Sequence, residues 1–165
     1  MTPSGSETGD HERHLRRAFE VARRSRARGN HPFGPILVGP DGLVLMEAEN
    51  SCVTERDRTG HAERNLMTRA SIAYPAAFLA RCTLYASAEP CAMCTGAAYW
   101  AGIGRIVYGL SETALAALIG PHPDNLTLDL DCRSVLGTGQ RRVEVIGPLL
   151  EEEARAVHHA FWRHA

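Results

Sequence analysis

Two short words constrain the fold of this chain more than any other feature: His61-Ala62-Glu63 and Pro90-Cys91-Ala92-Met93-Cys94, with His61 and Cys91 30 residues apart. Each stands where a helix is predicted to begin. His61 follows the turn-like Thr59-Gly60 and precedes an apolar run, and Cys91 follows Pro90 at the head of CAMCTGAAYWAG, a small-residue segment that Gly102 stops. Positions i and i+3 share a helix face, so Cys91 and Cys94 can bring both sulfurs to one ion. His61 adds a third soft or borderline ligand, and one cation held by all three requires the two helix N-termini to converge. That donor set suits zinc. The alternatives for the cysteine pair are a redox Cys-x-x-Cys and a closed structural zinc site. A structural site normally has four protein ligands, and no fourth Cys or His stands beside these three.

The remainder of the chain supplies a frame for that convergence. A helix is predicted from about Asp10 to Arg28, because Leu15, Ala18, Phe19 and Ala22 fall on one stripe and Gly29-Asn30 supplies the stop. PILVGPDGLVLMEAEN reads as a hairpin with strands near Pro35–Val38 and Leu43–Glu49. A second helix runs from His61 to about Ile72, CTLYAS and RIVYGL are short buried strands on either side of the cysteine helix, and SETALAALIG opens with a serine cap. Residues from about 121 to 140 read as a long loop or lid, RVEVIGP as the last strand, and the end of the chain from Leu149 as a final helix. The expected architecture is α/β: a three-layer α-β-α sandwich around a mixed five-stranded sheet. Residues 1–9 are expected to be a disordered tail and 10–165 a single domain, since 165 residues suffice for one core without disulfides.

Net charge and cysteine usage narrow the function. The formal charge of −1 and pI of about 6.7 give no electrostatic case for binding a polyanion, so small neutral substrates fit better than nucleic acid. The arginines at 16, 17, 23, 24, 26 and 28 are expected to form a solvated helix face, with an RNA-contact surface as the alternative. Cys52, Cys82 and Cys132 stand among apolar neighbours and read as packing residues. No apolar run approaches membrane-spanning length, and MTPSGSETGD lacks the charged start and apolar centre of a signal peptide. A cytoplasmic protein without membrane contact is therefore expected.

Glu63, two residues beyond the candidate ligand His61, can still reach the metal because side chains of a first turn splay around the open helix end. Coordination can lower the pKa of water from 15.7 to about 7, which makes hydroxide available at neutral pH. Glu63 is then the candidate catalytic proton carrier, placed to take a proton from the attacking water and hand it on.

His-x-Glu followed by Pro-Cys-x-x-Cys matches the signature of the zinc-dependent nucleobase deaminases, and from about residue 31 to about 118 the chain resembles the cytidine deaminase-like superfamily. The resemblance implies a zinc-dependent aminohydrolase with one Zn²⁺ per subunit on His61, Cys91 and Cys94, assembled as a homodimer that packs the cysteine-bearing helices together. It implies an Asn50 that hydrogen-bonds the base, a backbone N–H from Ala62, a backbone carbonyl from Glu89, and an aromatic wall from Phe33, with Trp100 a further aromatic candidate. HPFGPILV and GAAYWAG are similar to segments of bacterial guanine deaminases, whereas tRNA adenosine deaminases usually carry Pro-Val-Gly and yeast-type cytosine deaminases share MCTGA. Guanine is accordingly the first expected substrate. The alternatives are tRNA adenosine deamination, or a cytosine, pterin or triazine substrate. The chain departs from the guanine deaminases after Ile119-Gly120, where an acidic word gives way to PHPD; His122 and a displaced Asp124 are the candidate substrate residues there. FWRHA stands in place of their terminal aromatic.

Overall fold

The computed structural model describes residues 5–162. Five strands form one mixed sheet in the order β2-β1-β3-β4-β5: β1 (Pro35–Val38), β2 (Val44–Glu47), β3 (Thr83–Ala88), β4 (Arg105–Leu110) and β5 (Glu144–Ile146). The hairpin makes β1 antiparallel to β2, β1 also runs antiparallel to β3, and β3, β4 and β5 are parallel, with Leu84 opposite Ile106 and Ile106 opposite Val145.

Side-chain alternation along these strands builds two cores. On one face Ile36, Val38, Tyr85 and Val107 meet Leu15, Phe19 and Ala22 of α1 (Gly5–Ala27), Leu115 of α5 (Glu112–Ile119) and Val157 of α7 (Glu151–Val157). On the other face Leu37, Leu84 and Ile106 meet Leu66, Met67 and Ala70 of α2 (Ala62–Ala73), Leu79 of α3 (Ala76–Leu79), Ala98 and Ala101 of α4 (Ala92–Ala101) and Leu136 of α6 (Cys132–Gly137). The result is the expected three-layer α-β-α sandwich.

Several boundaries differ from the sequence reading. α1 begins at Gly5 rather than Asp10, so residues 5–9 continue the helix, and residues 1–4 of the expected tail lie outside the described residues. Two short helices, α3 and α6, were absent from it; runs of 4 and 6 residues are too short to show helical periodicity. α6 interrupts the expected 121–140 loop, with Asp131 as its cap: the carboxylate accepts the N–H of Ser134 at 2.9 Å. The last helix ends at Val157, after which the chain turns and buries Trp162 against His31, ring centroids 5.2 Å apart.

One glycine fixes the approach of α1 to the sheet. A Cβ at Gly34 would stand 2.3 Å from the backbone nitrogen of Ala22, so only glycine lets the helix lie directly on the segment entering β1. That contact also sets the position of the preceding residue, Phe33.

The arginines of α1 and of the turn that ends it are largely neutralised within the molecule. Arg16 pairs with Glu153, Arg17 and Arg24 with Glu47, and Arg28 with Glu49; Arg26 donates to the carbonyls of Val157 and His159. Among the described residues, no helix is long and apolar enough to cross a membrane.

Candidate active site

α2 and α4 pack side by side on one face of the sheet and open toward the same end of it. Their caps are His61 and Cys91, both in extended backbone conformation and neither spending its side chain on capping. Both side chains are therefore free to project beyond the helix ends. Cys94, in the first turn of α4, is fully buried. The donor atoms of His61, Cys91 and Cys94 all lie within 4.8 Å of one another, and Cys91 Sγ is 3.6 Å from His61 Nδ1. Two thiols and an imidazole converging at this distance fit zinc by donor chemistry as well as by spacing. Hydrogen bonds from Cys94 and His61 pull the Cys91 thiol down to about 4, while the hydrogen bond with Cys91 and burial push Cys94 up.

Glu63 stands in the first turn of α2 and is 5% exposed. Burial raises its carboxyl to about 7. Glu63 lines a cavity together with the candidate metal ligands His61 and Cys91, and with Phe33, Asn50 and Glu89. Phe33 is backed by His158 and Trp162, at ring-centroid distances of 5.3 and 6.2 Å. The Oδ1 of Asn50 accepts the N–H of Cys52 at 3.0 Å, so its Nδ2 is the group left to donate into the cavity. Ala62 is the first residue of α2 and fully buried, with its N–H at the open helix end.

Three candidates stand elsewhere. Trp100 is 85% exposed, because it falls on the face of α4 directed away from the sheet, and it does not line the cavity. His122 is buried behind the wall, edge-on to Trp162 at 5.2 Å, with its Nδ1 accepting the N–H of Asp124. Asp124 lines an outer chamber rather than the inner cavity. The short turn at His122 to Asn125 presents Asn125 to the cavity instead.

The sequence reading missed four cavity residues: His31, Glu112, Leu115 and Asn125. His31 adjoins the Pro-Phe-Gly word and was within reach of it; the other three carry no local signal. The terminal segment also differs from expectation, since Trp162 of FWRHA packs against His31, Phe33 and His122 and supplies the second layer of the wall.

The inner cavity measures about 40 Å³ and shares His31, His61 and Asn125 with the outer chamber, about 560 Å³. The latter lies within the volume range of small-molecule sites, roughly 300–1,000 Å³.

Comparison with known proteins agrees with this geometry. Residues 8–110 match the cytidine and deoxycytidylate deaminase zinc-binding region. A probable cytosine deaminase of Schizosaccharomyces pombe is 42% identical over 151 residues, 90% of each chain. The guanine deaminase of Bacillus subtilis is 38% identical over 108 residues, 65% of this chain and 69% of its own. The fold is also similar to a mutant of the protein NE0047 in complex with 8-azaguanine, with 25% identity, a TM-score of 0.75, and coverage of 93% of this chain and 85% of that one. A zinc-type donor triad beside a buried carboxyl, carried on a sequence and a fold of this kind, makes the chain a hydrolytic deaminase belonging to the cytidine and deoxycytidylate deaminase family.

Proposed function

We propose that the protein deaminates a free nucleobase, guanine first, taking up water and releasing xanthine and ammonia. The observation that carries this reading is the placement of Phe33, Asn50 and Glu63 around one cavity at the His61, Cys91 and Cys94 triad. An aromatic face, an amide donor and a proton carrier are what a flat aminated ring requires. Zinc held by these three residues supplies Lewis acidity that makes water nucleophilic near neutral pH. Glu63 takes the proton of the attacking water, passes it to a ring nitrogen and later protonates the leaving amine. Asn50 donates from Nδ2 to a ring acceptor, and Phe33 packs on the face of the ring. The N–H of Ala62 and the carbonyl of Glu89 complete the polar contacts.

Cytosine is the second reading, favoured by the 42% identity with a probable cytosine deaminase across 90% of both chains. Against the tRNA reading, Arg16, Arg17, Arg24 and Arg28, among the arginines that suggested it, pair with Glu47, Glu49 or Glu153. A homodimer joined through α4 belongs to the same proposal; the exposed Trp100 supports it.

Ammonia release from the zinc-loaded protein, measured against guanine, cytosine, adenine, their nucleosides, pterin, ammeline and a tRNA stem-loop, tests the substrate. Turnover of one free base is expected. Glu63→Gln is expected to lose at least about 10²–10⁴-fold in kcat while retaining its zinc. Activity on the stem-loop alone would overturn the reading.

A further inference from the structure

One acid in the cavity has no place in the mechanism above. Glu112 is the first residue of α5, is 7% exposed, and lines the same cavity as Glu63, Asn50 and Phe33. Its carboxyl has no hydrogen-bond or ion-pair partner among the described residues. The carboxyl is not enclosed: its oxygens are not among the buried side-chain atoms left without a partner, so they open on the cavity.

Its placement is nevertheless enforced. The two carboxylate oxygens of Glu89 accept the backbone N–H groups of Glu112 and Cys132, each at 2.9 Å. One buried side chain thus ties the start of α5 and the start of α6 to the segment that carries Cys91. Serine 111 caps the helix through Ala114 N, so the backbone of Glu112 is fixed from both sides. A carboxyl carried on a backbone held this firmly, lining a ligand cavity and left unpaired, is poised for a group that arrives with the ligand.

The polarity of the cavity says which group. Asn50 has spent its acceptor on Cys52 and offers a donor. Glu112 offers acceptor oxygens, and a carboxyl keeps one available whether or not it carries a proton. We propose that Glu112 is a specificity-determining residue that accepts an N–H from the ring of the substrate, so that the pocket selects heterocycles presenting both an acceptor, for Asn50, and a ring N–H, for Glu112. The assignment rests on the nucleobase reading above and extends it. Rings that lack the N–H leave the buried carboxyl unpaired and are rejected.

The test uses the zinc-loaded wild type, Glu112→Met and Glu112→Asp, with the free base that the wild type turns over and its derivatives methylated singly at each ring nitrogen. In the wild type one methyl isomer is expected to lose roughly 30-fold in kcat/KM, carried mainly by KM, the scale of one hydrogen bond to a charged group. Glu112→Met, which keeps the length of the side chain and removes its oxygen acceptors, is expected to discriminate against that isomer by less than about threefold, with kcat for the parent base changed far less than KM, and Glu112→Asp to recover part of the discrimination. Equal discrimination in the wild type and Glu112→Met would overturn the role of Glu112 while leaving the deaminase reading intact. If Glu112→Met does not fold, Glu112→Asp with wild-type KM and wild-type discrimination overturns it as well. Failure of the wild type on every free base overturns both.

Discussion

His158 lies beneath the wall of the cavity as a neutral imidazole. It is 2% exposed, its Nδ1 accepts the indole N–H of Trp162 at 3.2 Å, and its Nε2 has no partner. Burial, with Arg26 nearby, lowers its pKa from 6.5 to about 4. The unfolded chain therefore binds a proton near pH 6.5 that the folded chain refuses until about 4, and the stability this residue contributes at neutral pH is lost as the pH falls through that interval. Linkage puts the loss at about 3 kcal/mol. His158→Phe removes it: the stability of the variant relative to wild type should rise by up to that amount between pH 7 and pH 4, measured by chemical denaturation at both values. A pH-independent difference would show that the imidazole titrates normally. Residues differ sharply in how far sequence discloses such roles. His61, Glu63, Cys91 and Cys94 were legible because ligand type and spacing within one turn define their chemistry. Glu112 was not, since a first-turn glutamate is what any helix dipole favours, and His158 reads in sequence as one more polar residue near a chain end.

At the scale of elements, Glu89 shows how one side chain positions two helices. Replacing it with alanine strands the buried N–H groups of Glu112 and Cys132. Each orphaned donor costs about 1–3 kcal/mol. Glu89→Ala should therefore lose about 2–6 kcal/mol in urea denaturation, with a disturbed substrate KM because Glu112 is released; unchanged stability would mean that water or another acceptor replaces the carboxylate. The resemblance assigned Glu89 a backbone carbonyl role, and nothing in the sequence marked its side chain. The partners of that side chain lie 23 and 43 residues away. The same dependence on distant contacts hid α6. Its six residues have little helical signal of their own, and the helix stands because Leu136 packs under α4 and Asp131 caps it.

For the whole molecule, the parallel run of β3 and β4 decides the site. Helices that follow adjacent parallel strands begin at the same end of the sheet, which places the N-termini of α4 and α5, and with them Cys91 and Glu112, around one opening. α2, packed against α4, contributes His61 and Glu63 at that opening. The opposite face of α4 carries exposed Trp100, and if α4 joins two copies, Trp100→Glu should convert a dimer to a monomer by light scattering; a variant that keeps the wild-type mass would exclude that face. The order of the strands and of the longer helices, the burial of β3 and β4, and the candidate metal donors and proton carrier were legible in sequence alone, because periodicity, capping and ligand spacing are local properties. Tertiary structure alone decided which loops line the cavity. It put Asn125 there instead of Asp124, turned Trp100 outward, brought Trp162 behind Phe33 and set the unpaired carboxyl of Glu112 on the cavity. The physical reason is that a pocket is assembled from chain segments far apart in sequence, and their meeting is governed by the packing of two cores on a twisted sheet, a property no short stretch of residues contains.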